Sequence, residues 1–443
     1  MNKIKCVIKR SGTKVPYNKI RISNAIYRAA VSVGGRDKST ANKLAEQVEN
    51  ILEKRYEKIS PHIEDIQDIV EKVLIDNGHS KVAKAYIIYR KENQEKRQNN
   101  SKRNVSQNIP WQKIWHTLNW AVEYDLHSIA SLNKRVKNGE FTRIVHESES
   151  AYEDQIETAK NLIAEKSSDL KLVFVSGPSS SGKTTTTIKL EKKLNSLGLK
   201  FKTFNVDNYF FDLEMHPKDE FGDHDFETPQ ALDIDLINKH LNKLIEKEEI
   251  QMPFYNFFTG TRIPNQNPLK LNKDEILLID SLHGFYPPMS ENIDNKYKFK
   301  LYLEPLFQIK DSSGKFIRWT DIRMMRRMLR DAAFRAYNPK QTLEHWHYVR
   351  SSEIRHIIPY ISQSDYIVNT AMPYELPLYK ARLFDNFTKW IEIYKNDKLK
   401  NDAFKRVLRI YNILNEVIEH KDDSSIPSTS VIREFIGGSD YKY

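Results

Sequence analysis

Apolar residues recur along this chain with two periods, and the change between them divides it. Near the start, Ile4–Lys9 reads as a short apolar strand, Ser11-Gly12-Thr13 as a turn, and the next few residues to Tyr17 as a second strand. Helical spacing follows. Ile22, Ile26, Ala29 and Ala30 share one stripe, and Leu44, Val48, Ile51 and Leu52 share the next. Ser60-Pro61 opens a third helix carrying Ile66, Ile69, Val70 and Val73, Asn77-Gly78 ends it, and Ala83–Arg90 begins a fourth. Residues 1–96 are therefore expected to form a small, mainly helical unit.

Residues 97–107 hold a single apolar side chain, Val105, too little buried surface to offset ordering entropy, so a linker is expected. Residues 108–170 predict helices, with Trp111, Trp115 and Trp120 expected to pack. From Lys171 the apolar runs shorten and alternate with helical stretches. Leu172–Ser176 is a buried-strand run, Lys183–Leu197 a helix stopped at Gly198, and Phe201–Val206 and Ile276–Asp280 are further strands. Phe299–Leu303 and Tyr366–Val368 continue the series. Strands alternating with helices predict an α/β fold, a parallel sheet flanked by helices, over residues 171–420. Residues 371–420 are mostly helical in pattern, and the polar stretch 421–443 is expected to be a loose tail. There is no internal repeat.

With 443 residues the chain is long enough for more than one domain. No window approaches the roughly 18 apolar residues of a membrane helix, so a membrane partner is not expected. The opening residues lack the pattern of a secretory signal. The lone cysteine, Cys6, fits a reducing cytoplasm. A net charge of +11 suits a lysine-rich solvated surface or anionic ligands such as nucleotides. No nucleic-acid motif accompanies it, so nucleic acid is not the expected partner.

The most specific signal is Gly177-Pro178-Ser179-Ser180-Ser181-Gly182-Lys183-Thr184, which fits GxxxxGK[ST] between a predicted strand and a predicted helix. In that setting the backbone from Gly177 through Ser179, Ser180, Ser181 and Gly182 wraps phosphates with its N–H groups, aided by the helix dipole. Lys183 is expected on the β- and γ-phosphates of ATP and Thr184 on Mg²⁺, with Thr185 completing the ATP-binding set. Asp280, ending an apolar strand, is the candidate second Mg²⁺ ligand. Asp207 follows the strand Phe201–Val206, where it either takes the acceptor's proton and touches the metal shell or caps a turn. Arg323, Arg326, Arg327 and Arg330 recur at helical offsets with Arg335 one turn on, opposite Met324, Met325, Met328 and Leu329. That face is either solvated or a cationic lid that neutralises transition-state charge.

At these residues the chain resembles two known families joined. Residues 171–375 are similar to the uridine kinase and phosphoribulokinase branch of P-loop kinases. The likeness is carried by GPSSSGKTT (177–185), VDNYF (206–210), DFETPQALD (225–233), MPFYNFFTGTR (252–262) and the strand ending at Asp280. TDIRMMRRMLRD (320–331), TLEHWHYVR (342–350) and SDYIVNTAMPYE (364–375) extend it, and residues 141–163 resemble the helical lead-in of a bacterial subgroup. Residues 3–93 resemble the ATP-cone, the regulatory nucleotide module of ribonucleotide reductases, through VIKRSGTKVPYNKIRISNAI (7–26), IEDIQDIVEKVL (63–74) and AKAYIIYRK (83–91).

The kinase resemblance implies that Asp207 is the catalytic base. It implies that Tyr209, Asp225, Glu227, Tyr255 and Arg262 shape the acceptor site, and that Lys183, Arg327, Arg330 and Arg335 act on the transferring phosphoryl group. The ATP-cone resemblance implies a regulatory nucleotide at Lys9, Arg10, Asn18, Arg21 and Lys91. Three positions depart from the kinase pattern. Gly260 stands where uridine kinases carry a base-contacting histidine, Asp280-Ser281 replaces Glu-Gly, and Arg335-Ala336 replaces Arg-Gly. The expected activity is ATP-dependent phosphorylation of a hydroxyl on a small, nucleoside-like acceptor, with ATP and Mg²⁺ as cofactors and an effector nucleotide. A sugar or other metabolite acceptor, a catalytically weak nucleotide sensor, a nucleic-acid-binding regulator and a homo-oligomer remain open at this stage.

Overall fold

The computed structural model describes residues 4–8, 14–35, 37–57, 59–88, 90, 109–216, 228–257, 259–334, 338–396 and 400–442. They fall into two compact units, one within residues 4–90 and one within 109–442.

In the first unit β1 (Cys6–Ile8) pairs antiparallel with β2 (Lys14–Pro16), Val7 opposite Val15. Three helices follow, α1 (Lys19–Ser32), α2 (Lys38–Arg55) and α3 (Ile63–Asp76), then α4 over residues 80–88. The stripes Ile22/Ile26/Ala29 and Leu44/Val48/Leu52 meet Ile66, Ile69, Val70 and Val73 in one core. Ile51, on the edge of its stripe, stays exposed. Arg90 closes the unit by bonding Glu64, Asp68 and Glu71, at least two successive turns of α3.

The second unit opens with α5 (Trp111–Glu123), α6 (Ile129–Lys137) and the long α7 (Phe141–Glu165). Of the three tryptophans, only Trp120 packs against the core, while Trp111 and Trp115 are exposed, contrary to expectation. The sheet has five parallel strands in the order β4-β7-β3-β8-β9: β3 (Leu172–Ser176), β4 (Lys200–Thr203), β7 (Glu275–Asp280), β8 (Lys298–Glu304) and β9 (Tyr366–Asn369). Its side chains obey the period of two. Val173 and Val175 enter one core with Leu278 and Leu301, while Leu172 and Phe174 enter the other with Leu277 and Ile279. Helix α8 (Lys183–Asn195) joins the first core through Leu190 and Leu194 and α9 (Ile234–Ile245) the second through Ile237, Leu241 and Leu244, and an antiparallel hairpin, β5 (Ile250–Asn256) with β6 (Thr261–Leu269), stands outside the sheet. The hairpin has no clean alternation in sequence, since Pro253 interrupts its first strand where the register shifts between Met252 and Phe254.

The remaining helices are α10 (Trp319–Phe334), α11 (Pro339–His356), α12 (Glu375–Tyr394), α13 (Asn401–Glu416) and α14 (Arg433–Ile436). Two expectations fail here. Residues 421–442 are not a loose tail: Ile426, Val431, Ile432 and Phe435 are buried in or against the core. Nor do the arginines of α10 share one solvated face. Arg323 and Arg326 are fully buried. Arg323 donates to Glu304 (2.9 Å) and, through two nitrogens, to Glu353 (2.5 and 2.8 Å). Arg326 forks onto Glu375 (2.8 and 2.6 Å). Their acidic partners lie on other elements, beyond the reach of a helical-face argument. Burial pushes both Glu304 and Glu353 up. The two-pronged grip of Arg323 nevertheless holds Glu353 below the usual carboxylate range, whereas Glu304 remains raised.

Replacing Arg323 with Gln would leave Glu304 and Glu353 buried beside a neutral group. We expect a loss of about 3–5 kcal/mol in unfolding free energy, read from the urea midpoint. A loss below ~1 kcal/mol would show that the network does not hold the fold.

Candidate phosphoryl-transfer site

The parallel register brings the chemical residues to one edge. Val175 pairs with Asp280 and Ser176 with Tyr302, so the loop after β3 and the end of β7 emerge side by side at the carboxyl end of the sheet. The loop Gly177–Gly182 then turns into α8. Gly182 has φ +88° and Ser180 φ +60°, the left-handed conformations that let successive N–H groups converge. A Cβ on Gly177 would lie 2.4 Å from the Leu303 carbonyl oxygen, so only glycine fits there. The Ser180 and Ser181 hydroxyls are buried without a hydrogen-bond partner among the described residues. A phosphate group would supply acceptors that the protein does not.

The loop's carbonyls are tied outward. Ser179 O accepts from buried Arg323 (3.1 Å), and Ser181 O accepts from the Thr370 hydroxyl (2.7 Å), which itself accepts from Arg326 (3.2 Å). Lys183 Nζ lies over its own loop, 3.1 Å from Gly177 O and 3.5 Å from Pro178 O. Arg327 reaches the loop from α10 through Ser179 Oγ (3.2 Å) and also pairs with Asp331. Arg330 lies 3.9 Å from Glu434 and 3.6 Å from Asp331. Arg335 and Ala336 lie outside the described residues.

Asp280 keeps some contact with solvent, yet protein groups surround its carboxyl. Burial pushes its pKa up to about 6 against the pull of Lys183, with Asp207 and Glu434 adding repulsion. A carboxylate desolvated among like charges is one that a divalent cation would relieve, which suits Asp280 to the Mg²⁺ role expected of it. No group of three or more His, Cys, Asp or Glu side chains suited to a metal occurs among the described residues. Mg²⁺ commonly takes only one or two carboxylates beside substrate phosphates.

Strand β4 stops at Thr203, and exposed Asp207 sits in a 3-10 turn, Val206–Tyr209, whose first N–H groups Asn205 caps (3.0 Å to Asp207 N). Asn208 Oδ1 accepts from Tyr255 N (3.3 Å) and fastens this turn to the hairpin. Around it Phe210, His216, Tyr255 and Phe257 form an aromatic cluster, with Tyr255 between Phe210 (5.5 Å), Phe257 (4.9 Å) and His216 (6.2 Å). The contributions of Phe210, His216 and Phe257 had no signal in periodicity.

Tyr209 corrects the expectation of an acceptor contact. It is fully buried, and its hydroxyl bonds His240 Nδ1 (2.8 Å), so it supports the turn from below. Arg262 is pinned to Asp233 (2.9 Å) and lies over the Phe211 ring (5.2 Å). Asp225 and Glu227 lie outside the described residues. Gly260 has φ +68°, and a Cβ there would meet Leu213 at 2.8 Å, so a histidine cannot enter without rebuilding the turn. In the first unit Asn18 caps α1 by accepting from Ile20 N (2.9 Å), Arg21 lies on that helix, and Lys9, Arg10 and Lys91 fall outside the described residues.

Asp280 gives a stability prediction. Its pKa is raised on folding, so its effect is neutral below about pH 4, and stability is lost as pH rises through about 6. Asp280→Asn should therefore stabilise the nucleotide-free protein at pH 7.5, by up to about 3 kcal/mol, with the gain vanishing near pH 4. Urea unfolding across that range, without metal, is the measurement. A variant no more stable than the parent at pH 7.5 would contradict it.

Residues 172–376 match the Phosphoribulokinase / Uridine kinase family and residues 5–95 match the ATP cone domain. A uridine kinase of Borrelia duttonii is 28% identical over 45% of this chain and 86% of its own length. A vitamin B12-dependent ribonucleoside-diphosphate reductase of Thermoplasma acidophilum is 42% identical, over 20% of this chain and 12% of its own. Among solved structures, a possible uridine kinase from Bacillus stearothermophilus covers 49% of this chain and 98% of its own, at 15% identity and a TM-score of 0.34. No helix among the described residues is long and apolar enough to cross a membrane. The chain thus carries a match to the ATP cone domain over residues 5–95, followed by a match to the Phosphoribulokinase / Uridine kinase family over residues 172–376.

Proposed function

We propose that the second unit transfers the γ-phosphoryl group of ATP to a hydroxyl of a nucleoside-like acceptor in the cytoplasm, under control of a nucleotide bound to the ATP-cone. The observation that carries this is the convergence of the phosphate loop, Asp280 and Asp207 at one sheet edge beside the aromatic cluster. Mg²⁺, when bound, would neutralise charge on the β- and γ-phosphates. The loop amides and Lys183 fix the phosphates, and Arg327 and Arg330 approach from α10. Asp207 accepts the proton of the attacking hydroxyl. The rate enhancement comes from positioning and charge neutralisation, with little covalent work by the protein.

The aromatic cluster favours an acceptor with a flat ring, as the uridine kinase relatives' names also suggest. Gly260 favours a second reading, a sugar or other metabolite, because the hairpin offers no side chain at that position. A screen of nucleosides, sugars and hydroxy acids by acceptor-dependent ADP release decides between them.

Lys183→Ala should lower kcat by at least about 10²–10³-fold. Asp207→Asn should cut kcat far more than it weakens ATP binding, and an unchanged kcat would remove Asp207 as the base. Deleting residues 1–96, which include one compact unit, should abolish the effect of added effector nucleotide on rate. In the full chain, effector and ATP should shift each other's affinity by the same factor. An identical nucleotide dependence after deletion would exclude regulation by that module.

A further inference from the structure

The helix start that follows the phosphate loop is already in contact with an anion, and that anion belongs to the chain itself. Glu434, on the C-terminal segment, is 4% exposed. Its Oε2 accepts from the backbone N–H of Thr185 (3.3 Å) and from Thr185 Oγ1 (2.9 Å). Its Oε1 faces Arg330 at 3.9 Å. Thr185 is the third residue of α8, and its N–H is among those a helix start leaves free for an anion. In a loop of this kind these N–H groups cradle the phosphates nearest the nucleoside.

The segment is held in place rather than resting there. Val431 Cγ2 lies 2.4 Å from where a Cβ on Gly182 would be, so its methyl sits directly on the loop. Ser430 donates to buried Glu149 (2.5 Å), Phe435 lies under the Arg326 guanidinium (5.1 Å), and Arg433 ties the segment to Asp423 and to the Ile426 carbonyl. Glu434 also adds to the repulsion at Asp280.

We infer that residues 430–436 form an autoinhibitory strap in which the Glu434 carboxylate stands in for a nucleotide phosphate, bridging the Thr185 amide and Arg330. This rests on the reading of Gly177–Thr185 as the ATP site. A bound triphosphate and the carboxylate cannot both accept from Thr185, and two anions at that spot repel. Nucleotide binding therefore requires Glu434 to swing away, and Arg330 exchanges a carboxylate for a phosphate. The root of the strap, Ser430 on Glu149, need not move. Apparent affinity is reduced by the fraction of molecules in which the strap is closed.

The test is calorimetric titration of the full chain with MgADP, for the parent and for Glu434→Gln, each measured with and without Lys183→Ala so that uptake by the ATP-cone can be subtracted. Glu434→Gln keeps the shape and removes the charge. It should tighten the Lys183-dependent binding by about tenfold, as expected if the strap is closed about nine-tenths of the time. Unchanged or weaker binding overturns the strap. Absence of any Lys183-dependent binding in either protein overturns the ATP site itself, and the strap with it. Hydrogen exchange in the unaltered chain guards against a variant that does not fold. Residues 430–436 should exchange faster when MgADP is bound, and unchanged or slower exchange there also overturns the inference.

Discussion

The phosphate loop depends on where its carbonyl groups go. For its N–H groups to converge on a phosphate, its C=O groups must point elsewhere, and a buried carbonyl without a donor is costly. Here the donors come from α10. Arg323 satisfies Ser179, and Arg326, through Thr370, satisfies Ser181. Two buried guanidiniums need counter-charges in turn, which Glu304, Glu353 and Glu375 provide from β8, α11 and the start of α12. Much of the unit is thus enlisted to hold one six-residue turn in a strained, inward-facing shape.

Arg327 and Arg330 carry the opposite duty on the same helix. They are only partly buried and take part in longer, shared pairings with Asp331, Ser179 and Glu434. The four arginines separate cleanly by environment. Those with well-formed bidentate partners are scaffolding. The other two share a single acidic neighbour, Asp331.

The sheet was readable because β3, β7 and β9 hold short continuous apolar runs of the kind buried parallel strands require, and β8 keeps Phe299, Leu301, Tyr302 and Leu303 around a single Lys300. The phosphate loop was readable because its function imposes a fixed spacing. What the sequence hid was long-range. Residues 421–442 look polar, yet four apolar side chains, Ile426, Val431, Ile432 and Phe435, are buried and dock them. Arg323 and Arg326 look like surface cations because their acidic partners lie 19 to 49 positions away. Trp111 and Trp115 look like core residues and are not. The β5–β6 hairpin escaped notice because Pro253 and a bulge break its alternation.

Glu149 carries a consequence for how the protein is made. Its buried carboxylate is completed by Tyr374 and Ser430, 225 and 281 positions downstream. Until those hydroxyls have emerged from the ribosome, α7 must carry an unsatisfied acid on its core-facing side. The helix that packs behind the phosphate loop thus cannot settle early during synthesis. Its final packing waits until the far end of the second unit has been translated.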